Sequence, residues 1–180
     1  MLKIIVVGDE TYDAEQNLFG SVGDVELELE HSLVSLSKWE SKHKKPFLSN
    51  QNRTPEELLD YIKAMVLTPV YPEDVFARLS QRNLQDIMEY IESTESATTF
   101  GEMPETKGRG ETITAELIYY WMVAFNIPFA CEQWHLNRLF ALVRICNIKN
   151  APPQKRSPSE IARRNRELNE QRKARHHTTG

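Results

Sequence analysis

Three shortages bound what this 180-residue chain can be. It has only two cysteines, Cys131 and Cys146, within one segment expected to be a single helix. At about 1.5 Å rise per residue they would lie roughly 22 Å apart, far beyond disulfide reach. Only seven glycines are present, and none belongs to a G-x-x-x-x-G-K-[ST] or G-x-G-x-x-G phosphate cradle. No G-x-S-x-G elbow or Cys₂His₂ spacing occurs either. No apolar stretch reaches the roughly 18 residues of a membrane span, because Asn126 and Pro128 interrupt the best candidate. No cationic N-region precedes an apolar run, so no signal peptide is expected. The expectation is a soluble, reduced, intracellular protein. Its length suits one domain whose core needs no disulfide or structural metal.

Charge is present but unevenly placed. The net value of −4 combines two opposite parts. Residues 1–150 hold 14 Lys and Arg against 23 Asp and Glu, a balance of −9; residues 151–180 hold 8 against 3, a balance of +5. The tail can therefore bind an acidic surface, including the body of its own or a neighbouring subunit.

The fold class read from the pattern is mainly α (α+β), with a small N-terminal antiparallel β element over residues 1–30. Leu2–Val7 is a short apolar run ending at Gly8-Asp9, and Val25–Glu30 alternates strictly, so both read as strands. They are expected to pair, with residues 9–24 as their connection. Val6-Val7-Gly8-Asp9 suggests nucleotide binding only superficially, because no phosphate motif follows; a strand ended by a turn explains it. Helices should fill residues 31–92. His31–Lys45 carries Leu33, Leu36 and Trp39 at helical spacing and stops at His43-Lys44-Lys45-Pro46. Thr54-Pro55-Glu56-Glu57 is a helix start with a capping box, and Leu58, Tyr61, Ile62 and Met65 should face inward. Tyr71–Asp74 opens a short helix. Ser80 or Asn83 starts another, bearing Leu84, Ile87, Met88 and Ile91. Residues 93–111 have loop composition with no period, and are expected to be mobile.

Residues 112–150 carry the densest apolar signal of the C-terminal half. Thr112 or Thr114 should cap a helix whose stripe is Leu117, Ile118, Trp121, Met122 and Phe125. Pro128 should open the last core helix, with Leu136, Leu139, Phe140, Val143 and Cys146 on one face and Leu142 and Ile145 widening it. Together these would form an αα-hairpin, expected to be the most stable unit. The globular domain then spans 1–150. Residues 151–158 read as a linker, and Ser159 caps a projecting basic helical arm within 151–180 that has few apolar residues beyond Ile161 and Leu168. A lone helix of this kind is marginal in water.

Few constellations could carry chemistry. Glu28-x-x-His31 and Glu132-x-x-His135 invite a di-metal carboxylate site, with Glu116 as an extra ligand, because i and i+3 share a helix face. Against this, Glu28 lies in a strand-like stretch, where i and i+3 point to opposite faces, and four long core helices are not evident. The plainer reading places His135 at the core border, bonded to a carboxylate or carbonyl. Cys131 lies near an expected helix N-terminus with His135 nearby, which could activate a thiolate. No organising Asn or Asp accompanies them, so small buried cysteines are the simpler account. The arm's Arg163, Arg164, Arg166, Arg172, Lys173 and Arg175 are the candidate partner-binding residues. Without interleaved aromatics, and diluted by Glu160, Glu167 and Glu170, they suit a protein surface better than nucleic acid. No catalytic residue, cofactor or metal is expected.

Three segments carry a resemblance: LELEHSLVSLSKWESKHKKPFL, TITAELIYYWMVAFNIPFACEQWHLNRLFALVRICNIKN and the RNRELNEQRKAR arm. They resemble a widespread family of small bacteriophage proteins encoded in the tail-gene region and usually labelled tail assembly chaperones. The similarity covers most of the chain and is weakest in residues 50–110. WESK and WHLNRL are distinctive as sequence, yet carry no chemistry to transfer. The resemblance implies a non-enzymatic protein of the host cell cytoplasm that coats the tape-measure protein until the tail tube polymerises, and that associates with itself. The alternatives are a structural neck or tail-completion protein of the virion and, from another class, a di-metal oxidoreductase using the paired E-x-x-H residues.

Overall fold

The computed structural model describes residues 1–13, 18–49, 52–98, 112–151 and 158–176. The expected mobile segment 93–111 therefore falls outside the described residues from 99 onward, as do 152–157 of the linker.

Two strands open the chain as the alternation predicts. Strand β1 (Leu2–Val6) pairs antiparallel with β4 (Val25–Leu29), with Leu2 opposite Leu29 and Val6 opposite Val25. Ile4, Val6, Leu27 and Leu29 face the core, while Lys3 pairs across the outer face with Glu26 and Glu28. Residues 9–24 are more than a connection. They hold a second antiparallel pair, β2 (Asp9–Asp13) and β3 (Leu18–Val22), in register from Asp9↔Val22 to Asp13↔Leu18. Neither DETYD nor LFGSV alternates apolar with polar residues, and main-chain pairing leaves no other mark in the sequence.

Helix α1 (Leu33–His43) is the centre of the body. Ser32 and Ser35 close a capping box at its start, and Lys44 ends it in the left-handed region at φ 55°. Leu33, Leu36 and Trp39 are buried, and both α2 (Pro55–Met65) and α4 (Ala115–Ala124) pack against it. Helix α2 starts at the predicted Thr54–Glu57 box and buries Tyr61, Ile62 and Met65. A 3-10 turn covers Glu73–Phe76. Helix α3 (Gln81–Glu92) starts at Ser80, with Asn83 completing the cap, and lies against β1. Asn83 also donates to Ile5 O at 3.1 Å, so one residue caps the helix and ties it to the strand edge. Only Ile87 of the expected α3 stripe is fully buried; Leu84 is exposed.

The C-terminal part departs most from expectation. Of the two candidate caps, Thr114 is the one that starts α4, and Ala115, Ile118 and Met122 form the helix's buried face. Trp121 is only half-buried. Pro128 does not open a long helix. It leads into a 3-10 turn, Phe129–Gln133, and α5 (Leu136–Asn150) begins beyond it. The reason is main-chain pairing: His135 forms an isolated antiparallel bridge with Ser32, and Leu136 N–H donates to His31 O at 2.7 Å. In a continuous helix Leu136 N–H would bond to Glu132 O; its bond to His31 O instead makes Leu136 the first residue of α5. Cys131 and Cys146 consequently lie in different elements. The two helices of the expected hairpin are present, joined through this turn, but the helix that α4 packs on is α1.

Residues Met1–Cys146 form one compact unit and Asn147–Gly180 a second. The second contains α6 (Pro158–His176), and residues 162–173 of it are all exposed.

Candidate functional site: a basic helix and a buried histidine pair

Arg163, Arg164, Arg166, Arg172 and Lys173 stand exposed along α6, and Arg175 lies within the same helix. Arg163 pairs with Glu167 one turn on at 3.7 Å; both are largely exposed, and such a pair adds little stability. Leu168 is 38 % exposed, so the arm's central apolar residue is available to a partner. The helix can present cationic charge along its length, which suits an acidic protein surface.

The second feature lies inside the body. His31 and His135 are both buried, with ring centroids 5.1 Å apart in an edge-to-face arrangement. His31 sits where β4 gives way to α1, and His135 where the 3-10 turn gives way to α5. The bridge between Ser32 and His135 brings these two turns together. His31 Nδ1 lies 2.6 Å from the Tyr61 hydroxyl of α2. His135 Nε2 lies 3.0 Å from Tyr90 O on α3, and Asn137 N–H points at His135 Nδ1 from 3.3 Å. The Tyr90 ring meets the His135 ring edge-on, and its hydroxyl donates to Glu30 Oε1 at 2.8 Å. The other Glu30 oxygen pairs with the Met1 ammonium at 2.9 Å. Four segments of the body thus converge on two imidazoles. A cavity of about 390 Å³ is lined in part by Glu30, Ser32, Ser35 and Lys38, but by neither histidine.

Burial holds the His31 imidazole down to about 3, with the neighbouring His135 adding to the effect. Burial also pushes the Tyr61 and Tyr90 phenols up, and the Glu30 carboxylate raises Tyr90 further. Both phenols therefore remain protonated donors.

The two E-x-x-H pairs contribute their histidines to one place but not their glutamates. Glu28 is bound to Lys3 at 2.7 Å on the sheet's outer face. Glu132 lies in the 3-10 turn rather than one helical turn from His135, and accepts from the Tyr119 hydroxyl at 2.8 Å. Burial and that carboxylate push the Tyr119 phenol up to about 12. Glu116 is exposed in the first turn of α4. Among the described residues no group of three or more His, Cys, Asp or Glu is placed to hold a metal ion. Cys131 is buried in the five-residue 3-10 turn, so the helix N-terminus expected to activate it is not there. Among the described residues no helix is long and apolar enough to cross a membrane.

The residues that sequence reasoning passed over are Tyr90 and Asn137; Tyr61 is expected to face inward, but not to meet a histidine. The E-x-x-H spacing did single out both histidines, though for a different chemistry. Nothing local in the sequence signals that they meet. Comparison with protein-family models, with curated proteins and with solved structures returned no match.

Proposed function

We propose that this chain is a non-enzymatic bacteriophage protein that assists tail assembly in the host cytoplasm, binding the tape-measure protein and further copies of itself. The observation that carries the reading is α6. Its 19 residues expose every described side chain from 162 to 173. It belongs to a tail of net charge +5 attached to residues of net charge −9. A helix with so little apolar burial is marginal in water and gains stability by docking on an acidic partner. The resemblance of the three quoted segments to tail assembly chaperones supplies the client. On this reading the buried histidines hold turns together and perform no reaction.

Mass spectrometry of purified virions tests the proposal. A chaperone is present in the lysate and absent from mature particles. Stoichiometric recovery from virions would instead favour a neck or tail-completion protein. Metal analysis of protein purified without added iron addresses the other class, and stoichiometric iron or manganese there would overturn the non-enzymatic reading.

A further inference from the structure

We propose that the His31–His135 pair is an acid-sensitive latch, which locks the His135–Leu136 segment onto the β4–α1 turn while His31 is neutral and releases it when His31 is protonated.

The hydrogen bonds around His135 assign its protons. Tyr90 O can only accept, so Nε2 carries a hydrogen; Asn137 N–H can only donate, so Nδ1 is bare. A second proton on Nδ1 would set donor against donor. It would do so in the first turn of α5, where the helix already presents its positive end. His31 faces the Tyr61 hydroxyl on one side and the His135 ring on the other. A charge on either ring therefore meets no counter-charge.

The surrounding ionisable groups do not supply one. Glu30, adjacent in sequence, gives its two oxygens to the Tyr90 hydroxyl and the Met1 ammonium. Glu95 accepts from Ser93 Oγ, whose hydroxyl in turn lies 3.5 Å from His135 Nε2. Arg53, just before α2, and Glu40 of α1 act on Tyr61 in opposite senses. Among the described residues no carboxylate bonds either imidazole directly.

The direction of the pH effect follows. Folding lowers the His31 value from 6.5 to about 3, so the open form binds protons that the closed form refuses. The latch is at full strength above about pH 6.5 and weakens as pH falls toward about 3. What it holds is specific: the Leu136 N–H to His31 O bond and the Ser32↔His135 bridge. Acid should therefore free the start of α5 before the rest of the body.

The test is NMR on the full-length chain. Long-range proton–nitrogen spectra report the imidazole tautomers, and amide hydrogen exchange reports opening. We expect the Nε2–H tautomer at His135 where its ring is neutral, and His31 neutral at about pH 5, where a free imidazole is mostly charged. Between about pH 6.5 and about pH 4.5, exchange at Leu136, Asn137 and Leu139, corrected for intrinsic chemistry, should accelerate about tenfold or more. Leu36, Ile62 and Ile118 should stay protected. The H31N/H135Q variant, which keeps a neutral acceptor and donor, should lose the acceleration. An Nδ1–H tautomer at His135, a His31 that titrates near its free value in the folded protein, or exchange at 136–139 that merely tracks the whole body would each overturn the latch. So would a folded H31N/H135Q variant that opens in acid as wild type does. The wild-type tautomer and exchange data decide the matter even if the double variant does not fold.

Discussion

Replacing Glu40 should be among the most damaging single changes in the body, and the structure says by how much. Glu40 is 7 % exposed near the end of α1. One carboxylate oxygen accepts from Phe47 N–H at 2.8 Å, closing the turn that follows the helix. The other accepts from Ala115 N–H at 2.7 Å. Ala115 is the first residue of α4, so the anion also sits at that helix's positive end. Bonds of this charged kind contribute about 1.5–3 kcal/mol each, and a buried amide left unpaired costs about 1–3 kcal/mol. Truncation to alanine removes both acceptors at once. Glu40→Ala should therefore lose about 3–5 kcal/mol, a large part of the roughly 5–15 kcal/mol that stabilises a typical domain. At about 2–4 °C per kcal/mol for a chain of this size, the midpoint of thermal unfolding followed by circular dichroism should fall by roughly 6–20 °C. Glu40→Gln keeps one acceptor and turns an amide donor toward the other N–H, so it should lie between. A Glu40→Ala melting point within about two degrees of wild type would refute the claim that this carboxylate ties α1 to α4.

Leu139 is fully buried, and Leu139→Ala should cost about 3–5 kcal/mol in urea unfolding, whereas half-buried Trp121→Ala should cost less; equal losses would mean that the α4 face is misassigned. On the proposed assembly role, Glu132→Gln should leave phage production and melting near wild type, because the Tyr119 hydroxyl can still donate to the amide oxygen; abolished production with an intact fold would point to chemistry at that position. Deleting residues 155–180 changes the net charge from −4 to −9 and should leave the melting point of the body unchanged. Self-association measured by sedimentation should weaken in the same deletion, and in the full chain as salt rises, since exposed charges are screened beyond about 8 Å at physiological ionic strength.

What the sequence disclosed was local. Thr54, Ser80 and Thr114 are legible as helix starts because a cap acts within three residues. The β1 and β4 alternation is legible because one face is buried. What escaped was non-local. WESK and WHLNRL suggest no chemistry as text, yet each makes specific contacts, buried in the first segment and half-buried or exposed in the second. In the first, Trp39 Nε1–H donates to Glu57 O at 2.7 Å, and Glu40 reaches Phe47 and Ala115. In the second, Arg138 stacks over the Trp134 ring, and Asn137 donates to Ile91 O and Ser93 O. Glu40 and Asn137 answer partners 44 to 75 positions away, at Ala115, Ile91 and Ser93, and no periodicity encodes that. The long helix expected from Pro128 failed for the same reason, since the apolar spacing continued while the backbone of His135 and Leu136 paired with Ser32 and His31. The basic arm was legible as composition and as a helix, because its signal is charge.

The central claim is that this protein binds the tape-measure protein through its charged arm, and co-purification tests it most directly. The full-length chain, tagged and co-expressed with the tape-measure protein of the same phage, should retain it at low salt. That complex should dissolve as salt rises and should fail to form when residues 155–180 are deleted. No retention at low salt would contradict the assembly role, and retention indifferent to both salt and deletion would remove α6 from the interface.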